Sequence, residues 1–229
     1  MDPIAELFDR LDAWRHFPDY QLERRADIFF SLYLAEVLEA KLGFAVRREL
    51  VPEFPLRIGT INSQIASNQS KKIDYLAVSE AGDACVFVEL KTDGGSRREA
   101  QDQYLLAAQA AGLPALLEGL YAIFRVTKSK RKYFALLRHL EHVGLLSIPD
   151  ALKEIMAGPS LRGASAAADA ITITAPSSRP CIVYVQPTGD DPNVISFREF
   201  ADVVGRHEDP TSQRFATSLR EWASVQAGR

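Results

Sequence analysis

Residues 73–91 read IDYLAVSEAGDACVFVELK: two short apolar runs, 73–79 and 84–91, parted by Glu80, Ala81, Gly82 and Asp83. Two runs rich in Val, Phe and Tyr around a turn-forming tetrad form a hairpin signal. With residues 80–83 as the loop, Ser79 lies opposite Ala84, and further down the ladder Asp74 lies opposite Glu89. Directly opposed residues share a face with Cβ atoms about 4.5–5.5 Å apart, and residues two apart on a strand share it too, so Lys91 joins them. The rest of that face, Leu76, Val78, Cys85 and Phe87, is apolar, as is the other face with Ile73, Tyr75, Val86, Val88 and Leu90. A hairpin apolar on both sides is expected to be buried on both. Two carboxylates and a lysine at its open end then need a reason.

Like charges directly opposed destabilise a ladder, and a divalent cation converts that repulsion into coordination. Mg²⁺ (or Mn²⁺) fits, because Mg²⁺ is a hard ion usually held by one or two carboxylates with waters and substrate phosphates. A lysine beside it can orient an attacking water or offset charge developing on a phosphate. The plainer reading is a solvated strand end at which Lys91 pairs with Glu89.

Ile73-Asp74, then Val88-Glu89-Leu90-Lys91, resembles the signature of the PD-(D/E)XK nuclease superfamily, the restriction-endonuclease-like fold. The resemblance implies a helix, a three-stranded antiparallel meander, a helix and a further strand, over about residues 20–186. It implies Asp74 and Glu89 as metal ligands, Lys91 as the catalytic lysine, and cleavage of nucleic acid, with DNA favoured over RNA. A homodimer is a common device for two-strand cutting in that family. The proline of the family's first motif is Ile73 here, which leaves the carboxylate in place. Gln101, Gln103 and Tyr104 do not reproduce the Gln and Tyr four apart of the helicase-associated exonuclease branch, although Gln101 or Gln103 could line the site. Many members add an acid from the first helix. Leu22, Ala26, Phe30, Tyr33, Leu34 and Val37 define the apolar stripe of that helix, with Glu23 inside it, Asp27 at its edge and Glu36 on the far face. Glu23 is preferred, Asp27 second. An acid on a buried stripe needs a metal or an arginine such as Arg24 or Arg25. The alternative function is a catalytically inactive module of the same fold that holds nucleic acid or a protein partner.

Outward from the hairpin, helices are expected at 4–16 and 21–42, the second stopped by a left-handed Gly43. Residues 44–58 contain Pro52 and Pro55 and read as an irregular or edge strand, followed by a polar loop over 59–72. Helical patterns follow at 96–111, at 113–124 from about Pro114, and at 129–143. The stretch 158–180, rich in Ala, Gly, Ser and Pro, reads as a linker with a brief strand at 171–174. A buried-type strand at 181–186 precedes a capping box, Ser196 and Glu199, and a last helix opened by Asp209-Pro210. The class is α/β (α+β) with a mixed sheet. One domain over 1–229 is expected, with helix 4–16 and the helices of 194–224 as additions to the core.

The chain has 229 residues, 47% hydrophobic and 25% charged, which excludes disorder and collagen-like sequence. With no apolar run near 18 residues and no secretory signal, no membrane span and a cytoplasmic location are expected. A balance of 27 basic against 30 acidic residues is not that of a typical nucleic-acid binder. Its distribution differs: between Gly119 and Leu140 there is no acid, while Arg125, Lys128, Lys130, Arg131, Lys132 and Arg138 are interleaved with aromatic residues. That block could hold a phosphate backbone, as could Lys71, Lys72, Arg97 and Arg98 flanking the hairpin; a solvated helix face is the plainer reading. Gly94-Gly95 is either an anion site or a simple turn. Cys85 and Cys181 read as buried thiols, and His139 and His142 as structural, since nothing completes a zinc set.

Overall fold

In the computed structural model the Ser79 N–H donates to the Ala84 carbonyl at 2.9 Å, which is the hairpin register expected from the loop. Ser79 Oγ accepts the Asp83 and Ala84 N–H groups at 3.1 and 3.0 Å, satisfying donors that the tight turn strands. The structure describes residues 2–18, 20–92 and 99–224. In chain order the elements are α1 (Pro3–Trp14), α2 (Leu22–Leu42), β1 (Val51–Arg57), α3 (Ile58–Ile61), β2 (Ser70–Val78), β3 (Cys85–Leu90), α4 (Glu99–Val126), α5 (Lys130–His142), β4 (Leu146–Ser147), α6 (Asp150–Ala157), α7 (Ala164–Ala167), β5 (Thr172–Ile173), β6 (Cys181–Gln186), β7 (Val194–Ser196), α8 (Phe197–Val204) and α9 (Pro210–Ser224).

A five-stranded mixed sheet has the order β1-β2-β3-β6-β7. β1 is antiparallel to β2, with Val51 opposite Leu76 and Arg57 opposite Ser70, and β7 is parallel to β6, with Tyr184 opposite Val194. β1 occupies an edge, the place where Pro52 and Pro55 interrupt no second ladder. All of β3 is buried, as its two apolar faces require.

The chain forms two compact units. The first comprises Met1–Leu50, Val88–Glu99 and Ile182–Arg229. Asp2 caps α1 by accepting the Ile4 N–H at 2.9 Å, and Pro3 stands at the first helical position, where a missing N–H is harmless. Gly43 ends α2 at φ 76°, and the Ser196–Glu199 capping box opens α8. The terminal helices share one core with α2: Phe8, Phe30, Phe200, Phe215 and Trp222 are all buried, with the Phe30 and Phe215 rings edge to face at 5.2 Å. Arg214 ties α9 to Asp9 and Asp12 of α1 at 2.8 and 2.6 Å.

The second unit comprises Val51–Phe87 and Ala100–Cys181. Its α4 is two helical segments joined at Gly112 (φ 78°), close to the expected break. Among the described residues it is the one helix long and apolar enough to cross a membrane. The break at Gly112 and the burial of Leu105, Leu117, Leu120 and Phe124 fit a core helix. A Cβ at Gly119 would press on Thr60 and Arg57, so a glycine there lets α3 approach α4. The expected linker is instead folded: α7, a 3-10 turn at Ala168–Ala170, and β5, which pairs with β4. Its alanines pack, with Ala164 and Ala168 buried, so a composition typical of flexible chain serves close approach. Cys181 is exposed rather than buried, because it starts β6 outside the packed part of that strand. Cys85 is buried; burial first, and Cys181 second, push its thiol up to about 12.

Candidate functional site

Two charged residues end an otherwise apolar run: Glu89 is 1% exposed and Lys91 is 5% exposed. Lys91 Nζ donates to Glu89 Oε2 and to the Leu90 carbonyl, each at 3.1 Å, and the Lys91 N–H donates to the Val185 carbonyl of β6 at 2.8 Å. The pairing is the plainer of the two expectations, but the solvation is absent. Taking two opposite charges out of water costs more than their attraction reliably returns, and a packed apolar pair would be as stable or more so. Stability alone therefore does not account for them.

Asp74 is half-buried on β2, the neighbour of β3 in the sheet. The flanking pairs, Pro52 opposite Tyr75 and Phe54 opposite Ile73, set Glu53 of β1 across from Asp74. Glu53 has no signal in the sequence, since only the β1–β2 register reveals its place. It adopts φ 52°, and its carboxylate pairs with Lys72. The start of α4 lies against β2, where the Tyr104 hydroxyl donates to the Lys72 carbonyl at 3.3 Å. Nearby on α4, Gln101 is half-buried and Gln103 is exposed.

Glu23 is half-buried in the first turn of α2, and the stripe it was assigned to is buried at Leu22, Ala26, Phe30, Leu34 and Val37. Asp27 is exposed, and its carboxylate accepts the Ile28 N–H at 2.7 Å. Glu36 is not simply solvated: Oε2 lies 2.8 Å from His207 Nε2.

The cations of the acid-free segment divide into two groups. Lys130 Nζ donates to the Phe124 and Arg125 carbonyls at 2.7 and 3.1 Å, closing the last turn of α4, and burial lowers its pKa. Arg131 donates to the Met156 and Gly158 carbonyls at 2.8 Å, closing α6. Arg125 pairs with Asp169. Lys128, Lys132 and Arg138 are exposed, as is Lys71. Arg97, Arg98, Gly94 and Gly95 lie outside the described residues. His139 and His142 share α5 with ring centroids 6.4 Å apart.

Among the described residues no group of three or more His, Cys, Asp and Glu side chains could hold a metal ion. Carboxylate oxygens in smaller number suit Mg²⁺, which keeps several of its waters and takes one or two carboxylates. No family model, curated protein or solved structure matches this chain.

Proposed function

We propose that the chain is a Mg²⁺- or Mn²⁺-dependent phosphodiesterase acting on DNA, built on a restriction-endonuclease-like core. The burial of the Glu89–Lys91 pair carries this reading, because a charged pair that stability does not explain marks a site kept for chemistry. Support also comes from the succession α2, β1, β2, β3, α4, β6, which follows the family's helix, meander, helix and further strand once α3 is set aside between β1 and β2 and the segment α5 to β5 between α4 and β6.

Asp74 and Glu89 would supply the oxygen ligands, one or two carboxylates being what Mg²⁺ takes; the helix acids Glu23 and Asp27 form no group of three with them. A bound ion there supplies Lewis-acid polarisation of the scissile phosphate. Lys91 would offset negative charge as water attacks phosphorus and one phosphorus–oxygen ester bond breaks; the water gives up a proton and the departing alkoxide gains one. Lys71, Lys128 and Lys132 would contact the phosphate backbone, whereas Lys130 and Arg131 serve mainly as helix caps. Gln101 would line the site more closely than the exposed Gln103. Two copies of the chain would allow both strands of a duplex to be cut.

The test is incubation of supercoiled, linear and single-stranded DNA with Mg²⁺, Mn²⁺ or EDTA. Metal-dependent cleavage is expected, reduced by about 100-fold or more in Asp74→Asn, Glu89→Ala and Lys91→Ala. Cleavage that survives Glu89→Ala and Lys91→Ala removes the mechanism. Salt-sensitive binding without cleavage, indifferent to Mg²⁺ and to Glu89→Ala, assigns the inactive binding module instead.

A further inference from the structure

Within the first unit, a groove of about 440 Å³ opens beside α1 and the start of α2. Leu7 and Leu11 contribute its apolar lining, and Trp14, Tyr20, Arg10 and Arg25 complete the part that matters here. The Trp14 and Tyr20 rings meet edge to face at 6.3 Å. Arg10 stands over the Trp14 ring at 5.8 Å, and Arg25 stands over the Tyr20 ring at 5.6 Å. Glu6, the one acid among the described lining residues, pairs with Arg10. Trp14 is 40% exposed, so much of its π-surface faces water.

A ligand for such a groove needs a flat, polarisable face and a negative charge. An aliphatic segment would satisfy the rings but bring no charge to the guanidiniums, and a free anion would leave the rings wet. A nucleotide answers both, since bases of any sequence stack on aromatic side chains and phosphates pair with arginine. The volume lies in the range of small-ligand sites, about 300–1,000 Å³, and bases paired in a duplex could not enter it. We propose that this groove binds one nucleotide of a single-stranded nucleic acid, its base stacked on Trp14 and Tyr20 and its phosphate held by Arg10 and Arg25. The proposal rests on the nucleic-acid reading of the chain but not on the metal site.

The two tryptophans make the test direct, because Trp222 is 1% exposed and a quencher stacking in the groove acts on Trp14. The full chain in EDTA is titrated with single-stranded oligothymidylate and with a blunt duplex, followed by tryptophan fluorescence and by anisotropy of the labelled strand. Saturable quenching by the single strand is expected, with weaker quenching by the duplex. Anisotropy is expected to show affinity reduced about tenfold in Trp14→Ala and in Arg25→Ala. Full affinity in both groove variants, or saturated binding without quenching, overturns the proposal. Absence of any binding overturns it too. Concentration-dependent dimerisation abolished by Leu7→Lys, without quenching, overturns it and assigns the groove to a second copy. Cleavage measured in parallel separates the two readings: cleavage without quenching removes the groove alone, and quenching without cleavage removes the metal mechanism alone.

Discussion

Breaking a buried ion pair and replacing it have opposite consequences. Glu89→Ala leaves the Lys91 ammonium buried beside an apolar strand, at an expected cost of about 3–5 kcal/mol. Glu89→Leu combined with Lys91→Met removes both charges at similar volume, and is expected to match or exceed the wild-type denaturation midpoint while abolishing the proposed cleavage. A double variant as unstable as the single one would show that the pair serves the fold. At this scale Asp74, Glu89 and Lys91 are legible in sequence, because their spacing and a four-residue turn set their register. Glu53 is not, since its place depends on Phe54 and Ile73 meeting in the core. Lys130 is not either: whether it meets phosphate or caps a helix depends on where the α4 carbonyls end.

Secondary-structure elements are joined by carboxylates whose titration has a predictable sign. Glu199 links α8 to Lys41 of α2 at 3.0 Å and accepts the Ser196 N–H at 2.7 Å. Burial alone would raise its pKa, but the Ser196 N–H, Lys41 and the Ser196 hydroxyl outweigh that and hold it below the usual 4.5. Glu141 behaves alike: burial opposes, and the Ile148 N–H and Lys153 prevail. A carboxyl with a depressed folded pKa adds stability that is present above its unfolded value and is lost as pH falls through the folded one. Thermal stability is therefore expected to fall below pH 4.5, and to fall less steeply in Glu199→Gln and Glu141→Gln. Melting scans from neutral into acid pH check this; acid slopes unchanged in both variants refute it. The capping box, the Gly43 stop and the break near Gly112 are legible because each is a local backbone device. The two-residue strands β4 and β5, and the three-residue β7, are too short to carry a periodicity.

At the scale of the whole molecule, the first and last helices, α1 and α9, are bound to each other. Phe8 and Leu11 of α1 are buried, Arg214 of α9 bonds Asp9 and Asp12, and Trp222 Nε1 donates to Asp12 at 2.6 Å. Deleting residues 2–17 removes two core side chains worth about 2–5 kcal/mol each, against a total stability of about 5–15 kcal/mol. The truncated chain is expected to lose its cooperative unfolding transition and to bind a hydrophobic dye. A melting curve as sharp as that of the full chain would refute this. By itself the sequence determined what short-range rules control: the hairpin, the spacing of two carboxylates and a lysine, the helix caps and the mixed α/β class. Only the tertiary structure decided that the Glu89–Lys91 pair is buried, that Glu53 faces Asp74, that Lys130 and Arg131 close helices, and that α1 shares a core with α9. The physical reason is one of range. Register and capping arise from neighbouring backbone groups, whereas burial depends on which distant segment covers a face, and apolar association is non-directional, so it leaves no local mark of its partner.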